Sequence, residues 1–157
     1  MSPLLSPIAA IAAPPVEGRR ETIARTWDLN LEGGLGWNLT RDAPLLGLVR
    51  ARGGLMWMDT TDFAAPRFYS LGVTATYCGL GSLAFGIQGE LLDLSSGVWG
   101  QLGAHIDIDA APGFEASLGW SLFGVEAQLR LEDHGNQAAL FLKLRIPIGI
   151  IAFSATQ

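Results

Sequence analysis

From Arg25 onward, apolar and polar residues alternate one for one, and the alternation recurs in eight segments of about ten residues. Successive side chains of a β-strand point to opposite faces, so each segment reads as a strand with one greasy and one polar face. In the first, Trp27, Leu29, Leu31, Leu35, Trp37 and Leu39 oppose Asp28, Asn30, Glu32, Gly34, Gly36 and Asn38. The next three carry Arg50 and Arg52 against Val49, Ala51, Leu55 and Trp57, then Thr74 and Thr76 against Tyr69, Val73 and Tyr77, then Gln88 and Glu90 against Phe85, Ile87 and Leu91. The last four set Trp99, Gln101, His105 and Asp107 against Leu102 and Ile106, and Glu115, Ser117, Gly119 and Ser121 against Phe114, Leu118 and Trp120. They go on with Glu126 and Arg130 against Val125 and Leu129, and Phe141, Lys143 and Arg145 against Leu140, Leu142 and Leu144.

The linkers, including Asp59 to Arg67, Phe123 to Gly124 and Asp133 to Gln137, hold two to nine residues. Hairpins fit in that length and crossover helices do not. The chain therefore reads as all-β, an antiparallel up-and-down meander. Eight amphipathic strands in a row close most simply into a barrel, because closure removes both unpaired edges. A proline cannot donate to a ladder, so Pro147 marks the end of pairing or a bulge. The expected organisation is an apolar Pro- and Ala-rich leader or docking arm over residues 1–22, a barrel over 23–153 and a tail over 154–157.

Which face looks outward decides what such a barrel can do. Eight strands enclose a bore just wide enough to be filled by side chains or to hold one small ligand. The polar face is rich in Gly, Ser and Thr, which suit a crowded interior, while Trp, Tyr, Phe, Leu and Ile crowd the other face. Charged residues make up only 16% of the chain, against about 25% in an ordinary soluble domain, which is too few to cover a water-facing surface. Nine of the ten basic residues are Arg and one, Lys143, is Lys, a bias that suits fixed ion pairs.

A barrel in sequence order brings Asp28 and Glu32 beside Arg50, Arg52, Lys143 and Arg145 on the two neighbouring strands, with Glu126 and Arg130 one strand further. Together with Glu90, Asp107 and Glu115 these form a nearly balanced set, as buried charge requires. We therefore expect a lumen ion network of Asp28, Glu32, Arg50, Arg52, Glu90, Glu115, Glu126, Arg130, Lys143 and Arg145. Trp27 and Trp37 lie ten residues apart on one strand and Tyr69 and Tyr77 eight apart on another. With Trp57, Phe114 and Trp120 they are expected to be lipid-interface aromatics, since a spanning strand takes about 9–11 residues between two aromatic girdles.

On the strand count, the alternation Trp27-Asp28-Leu29-Asn30-Leu31-Glu32 and these aromatics, residues 25–153 resemble the small eight-stranded outer-membrane barrels, the class of outer-membrane proteins A and X. The resemblance implies a transmembrane barrel with a side-chain-filled lumen, acting as a structural or anchoring component of an outer membrane, with membrane lipid as its partner. Members of the class also include lipid-modifying enzymes. The chain differs from the class in its longest linker, Asp59 to Arg67, which falls on the side of the termini, and in Phe153, which is followed by four more residues.

Other function classes are less well served. A net charge of −5 with scattered basic residues argues against nucleic acid as a partner. No apolar run is long enough for a spanning helix. The single Cys78 has no second Cys to pair with, and His105 and His134 lie apart with scattered carboxylates, so neither metal nor cofactor is expected. His134, between Asp133 and Gly135, reads as part of a turn. Ala10-Ile11-Ala12 resembles a signal-peptidase site, although no Lys or Arg precedes the apolar stretch. The arm over 1–22 is the expected contact for any protein partner. Two further readings stay open: a soluble eight-stranded barrel that binds an apolar ligand or serves as a subunit of a larger assembly, and a lipid hydrolase built on His105, Asp107 and Ser117 or Ser121. With no oxyanion donors to name, the expected chain is not an enzyme.

Overall fold

The computed structural model describes residues 22–40, 45–59, 66–78, 82–133 and 135–148. The arm over residues 1–21, the linkers 41–44, 60–65 and 79–81, His134, and residues 149–157 with Phe153 and the tail lie outside the described residues.

Eight strands, β1 (Thr22–Asn38), β2 (Leu46–Asp59), β3 (Arg67–Cys78), β4 (Ser82–Asp93), β5 (Val98–Asp107), β6 (Pro112–Trp120), β7 (Phe123–Arg130) and β8 (Gln137–Pro147), pair in sequence order. Every neighbour is antiparallel, and β8 returns to β1 to close the barrel. The all-β meander expected from the alternation is thus present. Among the described residues Pro147, opposite Asn30, is the last β8 residue to pair with β1, in keeping with its missing N–H. No described helix is long and apolar enough to cross a membrane, a statement that does not bear on strands.

One turn sits elsewhere than the sequence suggests. Phe123–Gly124 reads as a linker because of its glycine, yet Phe123 pairs with Trp120 and Gly124 with Gly119 inside the β6–β7 ladder. The turn is Ser121–Leu122, with Ser121 at φ 54°. A second contact steadies it: the Ser121 amide donates to the Gly97 carbonyl of the β4–β5 turn at 2.8 Å.

The register fixes the shape. Following ladder partners from Asp28 through Gly54, Gly72, Gln88, Gly103, Glu115, Gln128 and Ala139 returns to β1 at Asn38, ten residues on. With a rise of about 3.3 Å and a strand spacing of about 4.8 Å, that stagger tilts the strands about 40° from the barrel axis. Trp27 and Trp37 then stand about 25 Å apart along the axis.

The usual distribution of burial is reversed. The inward set is dominated by polar and charged residues, Arg50, Arg52, Asn30 and Glu126 being fully buried, whereas Leu102 is 72% exposed and Trp27 76%. The buried apolar residues are few. Leu46, Leu48 and Phe141 cluster on the inner wall at the loop end, while Trp99, Met56 and Leu92 are buried toward the end that carries β1's start.

Candidate functional site: the lumen and the outer belt

Interior glycines make room for the large inward side chains. A Cβ on Gly36 would stand 2.5 Å from Phe141 Cδ1, and one on Gly124 would stand 2.5 Å from Trp99 Cη2. Gly119 backs the same indole, Gly86 and Gly113 flank His105, and Gly103 lies under the Glu115 side chain. The glycines on the polar parity are therefore seats for specific neighbours.

The charged residues form two connected layers. In the layer nearer the loops, Arg50 donates to Glu126 through both Nη atoms (2.8 Å each), to Glu115 (2.5 Å) and to Glu32 (3.2 Å), while its Nε donates to Thr76 (2.8 Å). Lys143 Nζ completes the layer with Glu126 at 2.7 Å, Glu32 at 2.8 Å and Gln101 at 2.6 Å. In the layer nearer the termini, Arg52 Nη1 lies 2.7 Å from both Asp28 and Glu90 and its Nη2 donates to Ser70. Arg145 pairs with Glu90 from the other side and reaches Asn30. Gln101 joins the layers by donating to Glu32 (2.9 Å) and Glu90 (3.0 Å). Isolated charges in so dry a space would be prohibitively costly, so the network holds together only as a set.

Nine of the ten expected network residues meet here. Arg130 does not. It sits at the loop end, a fifth exposed, where it pairs with Asp107 and contacts Glu132 at 3.2 Å and Asp109 at 3.5 Å. Its inward parity predicts a buried charge, but β7 ends there and the side chain opens to the mouth. Pairing across adjacent strands accounts for Glu32 beside Arg50 and Lys143, but not for Arg50–Glu126, Arg50–Glu115 and Arg145–Glu90, which span the bore.

Trp99 was not singled out by the alternation, yet it closes the bore beneath the charges. It is 1% exposed, donates Nε1–H to the Ser121 carbonyl at 2.8 Å, and has Lys143 Nζ 5.5 Å and Arg145 Cζ 5.4 Å from its ring centre. The signal for it lay in Gly119 and Gly124, two inward glycines on adjoining strands opposite an inward Trp. At the other end a small cavity of about 50 Å³ remains, lined among others by Thr76, His105, Asp107 and Gln128. The lumen is a cup, sealed on the side of the termini and open toward the loops.

The hydrolase constellation is not assembled. Ser117 donates to Glu126 (2.9 Å), Ser121 lies in a turn at the far end, and Asp107 accepts the Ala111 and Asp109 amides. His105 Nδ1 instead lies 3.5 Å from Glu115. No group of three or more His, Cys, Asp or Glu among the described residues could hold a metal. Beyond the outer belt, on the exposed end of β4, the Ser95 hydroxyl and amide donate to Asp93 and hold its carboxyl below the usual range.

The outward face is apolar throughout. Each ladder row climbs as it circles the barrel. Trp57, Tyr69 and Trp120 therefore reach the level of Trp27, and Tyr77, Phe85 and Phe114 that of Trp37, to within roughly 6 Å. Trp57 pairs directly with Tyr69, and Trp120 with Phe123. Between the two levels, among the described residues, the outward positions hold only apolar residues and glycine. Comparison with protein-family models, with curated proteins and with solved structures found no match.

Proposed function

We propose that this chain is a small transmembrane β-barrel whose charged lumen is a solid plug, serving as a structural or anchoring component of an outer membrane and not as an open pore. The observation that carries the reading is the inversion of polarity: an uninterrupted apolar wall between two aromatic levels, around a core of ion pairs. Water is a poor solvent for such a wall, whereas lipid solvates it and favours aromatics at its two boundaries. The distance of about 25 Å between Trp27 and Trp37 matches the height of a barrel's apolar band. Arg50, Lys143 and Glu126 fill the bore across its width, and Trp99 closes one end, which argues against ion flow.

Fractionation of source cells tests the membrane half of this reading. The chain is expected to pellet with membranes and to need detergent for release; release into buffer alone would overturn it and turn attention to a protein assembly covering the belt. Planar-bilayer recording tests the plug: purified protein is expected to give no large stable conductance, and such a conductance would refute the filled lumen.

A further inference from the structure

Of the buried side-chain atoms without a hydrogen bond, which in the layer nearer the termini also include Asp28 Oδ2 and Arg145 Nε, one donor on β2 and one acceptor on β4 flank β3. Arg52 is fully buried and spends both Nη atoms on Asp28, Glu90, Ser70 and the Gln88 carbonyl. Its Nε–H has no partner. Gln88 is 1% exposed, and its amide nitrogen donates to Glu115 Oε1 at 3.0 Å. That bond fixes the amide's orientation, since the reverse would set two oxygens against each other. Gln88 Oε1 is thereby left without a donor.

Gly72 lies between them. It is the ladder partner of Gln88, and the position its Cβ would take is 3.2 Å from Arg52 Nε. A buried donor and a buried acceptor are each costly when unsatisfied, and such pairs are commonly satisfied by a bound water with two to four polar partners. We propose that the lumen binds one water molecule beside Gly72, accepting from Arg52 Nε and donating to Gln88 Oε1.

The chemistry selects water over an ion. An anion would accept from Arg52 but would face the Gln88 carbonyl, and a cation would suit Gln88 but meet a guanidinium. A neutral molecule that donates and accepts at a single atom suits both. Sealed from one end by Trp99 and from the other by the Arg50 layer, this water exchanges slowly. The site lies wholly in the interior and is the same whether lipid or protein covers the belt.

Magnetic resonance of the full chain in detergent micelles, with ¹⁵N-labelled arginine, reads the site directly. The Arg52 Nε–H proton is expected to show a cross-relaxation peak to a long-lived water, lost in Gln88→Leu and kept in Gln128→Leu. Absence of the peak in the wild type, or its survival in Gln88→Leu, would overturn the proposal. Should Gln88→Leu not fold, a high-resolution crystal structure of the wild type decides the matter. A density peak within hydrogen-bond distance of both atoms supports the site, and a direct Arg52 Nε to Gln88 Oε1 bond with no such peak rejects it.

Discussion

Arg50 on β2 and Glu126 on β7 face each other across the bore in two parallel hydrogen bonds, Nη1 to Oε2 and Nη2 to Oε1, each 2.8 Å, although three strand-to-strand steps separate them around the wall. A planar guanidinium is the side chain that can make such a fork. The pair ties opposite walls together, so its loss is felt by both.

Arg50→Ala should destabilise the barrel by about 3–5 kcal/mol, because Glu126, Glu115 and Glu32 would remain buried with too few cations. Urea titration followed by tryptophan fluorescence measures this. Adding Glu126→Ala should recover part of the loss, giving a coupling of about 0.5–3 kcal/mol. Strict additivity would mean that the fork contributes nothing of its own. Neither variant should open a large conductance, since Lys143, Glu32 and Gln101 still cross the bore.

Trp99→Ala should cost about 3–5 kcal/mol, the range for emptying a buried aromatic site. The wild-type indole is expected to be shielded from aqueous quenchers, while Trp27, Trp37 and Trp120 respond to brominated lipid. Equal quenching of all the tryptophans from water would contradict the assigned positions.

Leu102 and Val73 project from the middle of the apolar wall, and Ile108 lies beyond its loop-side boundary. If lipid covers the wall, Leu102→Arg should cost about 2–4 kcal/mol and Ile108→Arg about 0–1 kcal/mol. Refolding into vesicles across a urea series checks the difference. Equal costs at both positions would argue against a bilayer.

Ser95→Ala should raise the Asp93 titration toward the ordinary aspartate range, since the hydroxyl is the first cause of its depression. A depressed carboxyl lends stability that is present above its unfolded pKa and is lost as the pH falls through the folded value. A carboxyl-carbon titration of wild type and variant follows the change.

Much of the architecture was legible because period two admits few solutions. Once Trp27 and Asp28 face opposite ways, the parity of the remaining first-strand residues follows, and short linkers leave only a meander. The contents of the bore were less legible. Ladder reasoning brings Glu32 beside Arg50 and Lys143, but Glu126 and Glu115 reach Arg50 through space that no neighbour rule describes. Trp99 and Phe141 were hidden for the same reason: on inward parity they broke the polar pattern, and their partners Gly119, Gly124, Gly34 and Gly36 looked like spacers. The turn at Ser121–Leu122 was displaced by two residues because Gly124 answers to the packing of Trp99 and not to a backbone need.

The ten-residue stagger sets a rule for how this chain can change length. A strand that gained or lost one residue would turn every side chain beyond the change through the wall, sending Arg50 or Glu126 to the outside and a leucine into the ion pairs. Lineages of this barrel should therefore accumulate single insertions and deletions only in turns such as Leu94–Gly97, or inside strands where a bulge absorbs the extra residue, as between Ile23 and Thr26. Elsewhere, strand lengths should drift in steps of two.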